Sequence, residues 1–328
     1  MEDEKMKLAN KVILSFFLTA IIFTIIIGPP VYIIGKKDMK NAILAHLTTT
    51  AQSRAHHIQT FLDSGKESIK QLSKSVVIER LLVNVSKEET VEKYGDVTRR
   101  LENTVKIMKN VHDIIVLNKY GIIVASSYGG DIGRDKSRDT YFIRGKEGVY
   151  IKDAYVSQDK KIYSIAFSAP VSGEKNGVFW GVVVARVSMH RLNRITTDRT
   201  GLRKTGEIYL VNRGGYMITP SRFVNDTFLK LYDNTKNTRQ YLEDYKRIGI
   251  KEEVRKPLVF KDYRGVTVLG VGYNIPEVKW CLLAKIDESE AFAPLTKMKI
   301  LFVVVVVLLI PLVAWLSGSI ASRFIIKG

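Results

Sequence analysis

Residue types that do chemistry in enzymes are sparse and scattered along this chain. His56 and His57 lie in a predicted helix, where adjacent residues do not face one another, so the pair is typical of a surface rather than of a metal site. The single cysteine, Cys281, permits no internal disulfide. The sequence has no phosphate-binding glycine loop, H-E-x-x-H, G-x-S-x-G or Cys/His cluster. We therefore expect no catalytic residue, metal or cofactor, although acid–base pairs that assemble in space leave no such motif.

The charge of the chain leaves several classes of partner open. Its 328 residues carry 51 Lys and Arg against 33 Asp and Glu, a formal net charge of +18. Such an excess suits nucleic acid, anionic lipid or an acidic ligand. Two long apolar runs argue against nucleic acid, and a generally lysine-rich, solvated surface explains most of the charge without a dedicated basic patch.

The two apolar runs lie near the ends of the chain. Residues 12–34, which include Gly28-Pro29-Pro30, and residues 300–317, interrupted by Pro311, are each long enough to cross about 30 Å of hydrocarbon as a helix. Both are predicted to be transmembrane helices. The alternatives are buried core helices or, for the first run, a cleaved signal peptide, but no A-x-A-like site follows Pro30.

The flanking charges do not decide the orientation in the membrane. Lysines precede the first run at 5, 7 and 11 and follow it at 36, 37 and 40, so the positive-inside count nearly balances. Short ends and a long intervening loop favour cytoplasmic termini. We therefore predict a cytoplasmic segment at 1–11, the start of a cytoplasmic relay at 318–328, and a large domain outside the cytoplasm.

Between the two runs the sequence repeats a pattern. Residues 114–127 read as a β-hairpin around the turn Asn118 to Gly121, and residues 208–221 read as a second hairpin around Asn212 to Gly215. Each is followed by a strand-like run that ends in proline, at 161–170 and 267–276, and then by a tryptophan-led apolar strand. The order predicts two antiparallel sheet modules of similar topology, although two copies are weak support for a repeat and antiparallel sheets resemble one another.

A long helix is predicted ahead of the first sheet. Residues 37–74 lack proline and carry apolar residues at spacings of three and four, which over roughly 50 Å suffices to back both modules. Residues 88–110 are predicted to form a second helix. We also expect the chain to pair as a parallel homodimer along the long helix, with Leu44 and Ile58 close to their counterparts in the partner.

These features accompany motifs of a known family. The stretches IGRDKSRDTYF, IKDAYVSQDKKIYSIAFSAPV and GVVVARVS, and later GEIYLVNRGGYMITPS through WCLLAKIDES, resemble double Cache domains over residues 37–290. The resemblance implies an α+β fold: two stacked PAS-like antiparallel sheet modules, a distal one at 37–195 and a proximal one at 196–290, backed by the long N-terminal helix and flanked by two transmembrane helices. It also implies a sensor outside the inner membrane, of chemoreceptor or sensor-kinase type. The C-terminal SGSIASRFIIKG resembles the approach to a HAMP linker.

The resemblance also implies candidate ligand-binding residues in the distal module. Arg138, Tyr141 and Tyr155 match the family's amino-acid-binding pattern, whereas Gly133 and Thr140 replace its expected aromatic residues. Arg186 stands where the pattern has the aspartate that pairs with a ligand's ammonium, which argues against an α-amino acid.

Arg138 and Arg186 are predicted instead to clamp a small anion, such as a carboxylate, because a guanidinium binds oxyanions in bidentate fashion. The alternative is that Arg186 faces solvent. In the proximal module Lys285 matches Arg186, but no residue matches Arg138, so binding is predicted to be distal.

The leading hypothesis is a sensing module that binds a small molecule and passes a conformational bias through the second membrane helix. A membrane-anchored adaptor or structural protein that binds only a protein partner is the rival. An ectoenzyme is the third possibility.

Overall fold

The protein is described here from a computed structural model that covers residues 2–85, 95–157, 161–173, 177–248 and 258–326. The chain divides into two compact units. One comprises residues 47–286, and the other combines residues 1–46 with residues 287–328. The larger unit holds both sheets and all the candidate ligand-binding residues.

The distal module is a five-stranded antiparallel sheet with helices around it. Its strands follow the order β2-β1-β5-β4-β3, so the last strand in sequence lies in the middle, between β1 and β4. The elements are α1 (Glu2–Ser73), α2 (Val76–Val85), α3 (Gly95–Ile107), β1 (Val111–Asn118), β2 (Ile123–Ser126), α4 (Thr140–Gly145), β3 (Tyr150–Val156), β4 (Tyr163–Ser172), β5 (Phe179–Ser188) and α5 (His190–Thr197).

The proximal module repeats this topology with one strand fewer. Its four strands follow the order β6-β9-β8-β7, so β6 and β9 pair as β1 and β5 do, and β8 and β7 follow as β4 and β3 do. The α+β class and the two antiparallel sheets behind a long N-terminal helix are thereby confirmed. The elements are β6 (Glu207–Val211), α6 (Lys236–Ile248), β7 (Leu258–Lys261), β8 (Thr267–Ile275) and β9 (Trp280–Asp287).

The two predicted hairpin turns have the same construction. The side-chain oxygen Oδ1 of Asn118 accepts hydrogen bonds from the backbone N–H groups of residues 120 and 122, each at 3.0 Å. Asn212 Oδ1 does the same for residues 214 and 216, again at 3.0 Å. Gly121 and Gly215 adopt φ values of 88° and 80°, a conformation that glycine reaches without steric cost. The same turn occurs a third time at Asp262, between β7 and β8.

Several element boundaries differ from the sequence predictions. Residues 216–221 form only isolated bridges and no strand, because Thr219 Oγ1 rather than a backbone carbonyl accepts the N–H of Leu210, and Pro220 has no N–H to pair. β4 continues past Pro170 to Ser172. The proline is tolerated because β3 begins opposite Ser168, so no β3 carbonyl group lies beside Pro170 that would require a backbone N–H from it. The predicted helix at 88–110 is α3 from Gly95, and its first residues lie outside the described part of the chain.

The apolar face of α1 packs within the chain itself. Ile58 is 0% exposed and Leu44 is buried, so neither side chain is available to a second protomer. The prediction that a dimer pairs through these two positions is therefore wrong. The apolar spacing that indicated a helix–helix seam belongs to a helix whose apolar side chains are covered by its own chain.

Gly65 brings α1 into close contact with the distal sheet. A Cβ added there would lie 2.4 Å from the ring of Phe167 on β4, a ring that also packs edge-to-face against Phe61. We expect Gly65→Ala to destabilise the fold, because overpacking costs about 1–3 kcal/mol and the gain in helix propensity offsets only about 1 kcal/mol of it. Thermal unfolding should show a lower Tm for Gly65→Ala. Gly148→Ala is the control, because its added Cβ meets nothing within 4 Å, and a Tm for Gly65→Ala at or above that of the control would contradict the close packing.

The smaller unit contains the start of α1, the one-turn helix α7 (Glu288–Ala291) and α8 (Ala293–Ile326). A Cβ placed on Gly28 would lie 3.6 Å from the Phe302 ring, and one placed on Gly35 would lie 3.5 Å from Leu295, so α1 and α8 approach each other at two glycines. Among the described residues, one stretch is long and apolar enough to cross a bilayer, the 21 residues Ala293–Val313. It overlaps the predicted span at 300–317, whereas the span at 12–34 stays a prediction.

Candidate ligand-binding site

A buried ionic cluster lies on the distal sheet, where β1 and β5 pair. Arg186 on β5 stands opposite Asp113 on β1 and is only 5% exposed, so it does not face solvent. Its Nη1 atom is 2.9 Å from Asp113 Oδ2 and 2.6 Å from Asp131 Oδ2, and both carboxylates are almost fully buried. Burial alone would lower the pKa of Arg186, but the hydrogen bond to Asp131 and the nearby negative charges outweigh it, so the pKa is raised.

Lys152 and two tyrosines complete this arrangement. The Lys152 ammonium lies 4.4 Å from the centre of the Tyr155 ring and 4.9 Å from that of Tyr141, within the range of cation–π attraction. It is also 2.8 Å from each carboxylate oxygen of Asp139, whose Oδ1 accepts the backbone N–H of Tyr141 at the start of α4. A register shift in β3 between Lys152 and Tyr155 disturbs the normal alternation and allows the two side chains to meet.

We call these seven residues the distal cluster, and positive and negative charges alternate in it. The cations are Arg186 and Lys152, with Arg134 Nη1 at 3.0 Å from the remaining oxygen of Asp131. The seven residues thus carry two cations against three carboxylates, and the formal charges balance when Arg134 at the edge of the cluster is counted as the third cation. The distal cluster consists of Asp113, Asp131, Asp139, Tyr141, Lys152, Tyr155 and Arg186.

The tyrosine hydroxyls are the groups of the distal cluster that a polar ligand could contact. Burial raises the pKa of Tyr141 to about 12, and burial likewise raises that of Tyr155, so both hydroxyls stay protonated and can donate. The buried Tyr155 hydroxyl has no hydrogen-bond partner among the residues that the structure describes. A buried polar group without a partner is uncommon in a native protein and is explained when a ligand or ion supplies the bond.

Three of the four residues predicted from sequence come together in the distal cluster, and the fourth does not. Arg186, Tyr141 and Tyr155 are neighbours, since the charge of Arg186 lowers the pKa of both tyrosines against the effect of burial. Arg138 is exposed just before α4, where its charge acts on Asp135. The two arginines thus do not form a clamp around one position in this structure.

The proximal module carries a matching charge pair. Lys285 on β9 stands opposite Glu207 on β6, the register that places Arg186 opposite Asp113. Lys285 Nζ lies 2.9 Å from Glu207 Oε2 and also contacts Asp262, and its side chain is 1% exposed. Burial would raise the pKa of Asp262, but the hydrogen bond and charge of Lys285 outweigh it, so the pKa is lowered.

In contrast to the distal cluster, this proximal pair is enclosed by protein groups. Glu207 accepts hydrogen bonds from the hydroxyls of Tyr263 and Ser221, at 2.7 and 2.9 Å, and from the backbone N–H of residue 222 at 2.8 Å. The Tyr263 ring centre is 4.0 Å from the Lys285 ammonium. The chain itself thus supplies the contacts to Glu207 that a ligand would make.

Asp153, between Lys152 and Tyr155 on β3, links the two modules. Its Oδ1 accepts the indole N–H of Trp280, the first residue of β9, at 2.7 Å, and its Oδ2 accepts Asn212 Nδ2 at 3.3 Å. Burial raises the pKa of Asp153, although these hydrogen bonds oppose the rise. A side chain of β3 is thereby hydrogen-bonded to the first residue of β9.

Sequence reasoning missed four members of the distal cluster. Asp113 interrupts an apolar strand, which was a usable signal, but its pairing with Arg186 depends on the strand register. Asp131 and Asp139 lie in a loop and at a helix N-terminus, where acidic residues are common and not diagnostic. Lys152 was hidden by the register shift, since strict alternation places it on the face opposite Tyr155.

Within the described ranges, no group of three or more His, Cys, Asp or Glu side chains is arranged to hold a metal ion. A family model for the Cache domain matches residues 35–295, about four-fifths of the chain. The chain belongs to the Cache domain family. Among curated proteins, no sequence matches it.

Solved structures of several ligand-binding and sensor domains share the fold. The ligand-binding domain of Mlp24 with asparagine superposes with a TM-score of 0.56 at 16% identity, covering 80% of this chain and 98% of that one. The sensor domain of the V. cholerae histidine kinase DctB gives 0.59 at 12% identity, with 76% and 98% covered. The Pseudomonas aeruginosa PAO1 amino acid chemoreceptor PctB, in complex with L-Arg, gives 0.54 at 15% identity, with 78% and 92% covered. At these identities the likeness shows the fold alone.

Family membership places the sheet domain outside the cytoplasm, as the small-ligand-sensing part of a signalling receptor. The sequence-based expectation of a Cache-type sensor is confirmed. What it binds, and through which module, depends on the residues of this chain.

Proposed function

We propose that the distal cluster binds a small ligand that carries both a negative and a positive or hydrogen-donating group, as an amino acid does. The observation that carries the proposal is a cluster of three carboxylates and two cations, with Arg134 as a third cation at its edge, which includes a buried Tyr155 hydroxyl that has no hydrogen-bond partner among the described residues. A purely anionic ligand would approach three carboxylates, and a purely cationic one would meet Arg186 and Lys152. A ligand with both charges can pair with both signs, which lowers its desolvation cost.

The relatives support this class of ligand. Mlp24 is described with asparagine and PctB with L-Arg, and the Pseudomonas fluorescens chemoreceptor CtaA is described with L-leucine. In this chain Arg186 replaces the aspartate expected from the resemblance, but Asp113 and Asp131 lie against it and supply carboxylates at the same place. The substitution therefore moves the acidic groups rather than removing them.

A small carboxylate is the second candidate ligand. It would displace an aspartate from Arg186, and it would gain more if Arg138 turned inward to form the predicted two-arginine clamp. Because Arg138 is exposed and Arg186 already has two ion-pair partners, the exchange of one carboxylate for another yields little net affinity. The rival class, a membrane-anchored adaptor, needs no small ligand at all.

The remaining parts of the proposal concern the membrane. We propose that residues 12–34 and 300–317 both cross the inner membrane and that both ends are cytoplasmic, with the chain acting as a homodimer through a surface other than the buried stripe of α1. The link from Asp153 through Trp280 to β9 supports signal output through α8. The chain would have no catalytic activity of its own.

Ligand screening of the full chain in nanodiscs tests this function. Proteinogenic amino acids, mono- and dicarboxylates and simple amines would be compared by thermal shift and then by isothermal titration. An amino acid at about 100 times its Kd should stabilise the fold by roughly 2.7 kcal/mol. Tyr155→Phe, which removes only the hydroxyl, should weaken binding by about three- to tenfold.

Tyr120→Phe is the matched control, because Tyr120 is exposed outside the cluster, and it should leave the affinity unchanged. Tight binding of carboxylates without an amine would favour the second candidate. A complete absence of ligand-induced stabilisation would favour the adaptor.

A further inference from the structure

A cavity of about 150 Å³ lies where the connector between the modules meets the proximal sheet. The connector comprises α5 and residues 198–206. The cavity lies between this connector and the segment around residues 220–222 that follows the second hairpin. Its polar wall is formed by Thr196, Thr197, Arg199, Glu207, Ser221 and Arg222.

Two arginines in this wall have no carboxylate partner among the residues that the structure describes. Arg222 is half-buried, and its Nη1 atom donates to the backbone carbonyls of Gly206 at 2.8 Å and Arg203 at 3.2 Å, which hold the guanidinium in place without neutralising it. The side chain of Arg199 is exposed and forms no hydrogen bond or ion pair with any residue that the structure describes. In the distal cluster, by contrast, Arg186 and Lys152 each have a carboxylate within 3 Å.

The surrounding charges favour a negative occupant. The connector carries five cationic side chains and a single carboxylate, Asp198, which is already 2.6 Å from Arg54 of α1. The acidic residue in the cavity wall, Glu207, is neutralised by Lys285 and accepts three further hydrogen bonds. The last carbonyls of α5 oppose an anion, but two full charges outweigh the partial charge of a helix end. The five cations are Arg191, Arg194, Arg199, Arg203 and Lys204.

We propose that this cavity is a second binding site, separate from the distal cluster, and that it takes a small oxyanion of phosphate or carboxylate size between Arg199 and Arg222. Guanidinium groups bind such oxyanions through paired N–H donors, and the hydroxyls of Thr197 and Ser221 add polar contacts at the wall.

An anion bound in this cavity would strengthen the link between two segments. Arg199 belongs to the connector, whereas Arg222 lies in the segment around residues 220–222 and already donates to connector carbonyls, so one anion held by both arginines would add an ionic link to these hydrogen bonds. The site would respond to the ionic composition outside the cell, independently of the ligand in the distal cluster.

The test uses the full chain in nanodiscs and inorganic phosphate as the probe. Tm would be measured against phosphate concentration at constant ionic strength maintained with chloride, with acetate and sulfate in parallel arms to separate tetrahedral oxyanions from carboxylates. We expect a saturable rise in Tm for at least one of these anions. Arg199→Gln should weaken the apparent affinity by about tenfold, because it removes a charge-assisted contact.

Arg203→Gln is the matched control, because it removes one charge from the same connector without lining the cavity, and its affinity should stay close to that of the wild type. Since Arg222→Gln can disturb folding through the two carbonyls, Arg222→Lys serves as the second variant and should lose affinity while it keeps the charge. Equal anion responses in the wild type, Arg199→Gln and Arg203→Gln, or a response that does not saturate, would overturn the proposal. So would the absence of any response.

Discussion

Arg186→Met is expected to lower the free energy of unfolding by about 3–5 kcal/mol, because removal of one partner from a buried ionic group leaves uncompensated charge behind. Asp113 and Asp131 are 2% and 1% exposed, and both would lose their contact with the guanidinium. For a domain of this size the loss corresponds to a fall in Tm of roughly 10 °C. Thermal unfolding of the full chain, followed by tryptophan fluorescence, measures it.

Arg138→Met is the control for this prediction. Arg138 is the exposed one of the four predicted site residues, and this substitution removes the same charge there. The free energy of unfolding should change by no more than about 0.5 kcal/mol. Adding Asp113→Asn and Asp131→Asn to Arg186→Met should recover part of the stability, since the orphaned charges are then gone. A small effect of Arg186→Met, comparable to that of Arg138→Met, would mean that Arg186 is not enclosed as the structure has it.

Lys285→Met is expected to destabilise the proximal module by a similar amount, about 3–5 kcal/mol. Its two partners, Glu207 and Asp262, are as deeply buried as those of Arg186. The stability that the wild-type ion pair contributes decreases at low pH. Because the folded pKa of Asp262 is lowered, its stabilisation is present above the ordinary carboxyl pKa and is lost as the pH falls through the folded value.

The variant should show a weaker dependence on pH. Without Lys285, Asp262 keeps Arg264 Nε at 2.7 Å but loses the cation that lowers its pKa most, so the pKa of Asp262 should be higher in the variant, and Lys285→Met should lose less stability than the wild type as the pH is lowered from 7 towards 4. Lys261→Met on β7 is the control, because it is exposed and should follow the wild-type profile. If the difference in unfolding free energy between Lys285→Met and the wild type did not change with pH over this range, the buried ion pair would be contradicted.

Together the two variants test where the ligand binds. Both should weaken the fold, but at a temperature where each remains folded, only Arg186→Met should impair binding of an amino acid identified by the screen. Loss of binding in Lys285→Met with retention in Arg186→Met would assign the ligand to the proximal module instead.

The sequence alone determined the class of the protein. The two apolar runs, the helix periodicity of residues 37–74 and the two matching hairpin turns follow from local rules, because period and turn chemistry depend on near neighbours in the chain. Asn118 and Asn212 illustrate this, since each builds its turn with backbone groups at most four residues away. The motifs of the resemblance then pointed to the correct family.

Only the tertiary structure decided which charges meet. Whether Arg186 faces the core depends on the register between β1 and β5, and whether it is free to hold an anion depends on Asp113 and Asp131, which are 73 and 55 residues away in the chain. The same holds for α1, whose apolar spacing is equally suited to a partner helix and to a sheet. No local pattern encodes the choice, because the energy of a buried charge or an apolar face is set by the side chains that long-range folding brings against it.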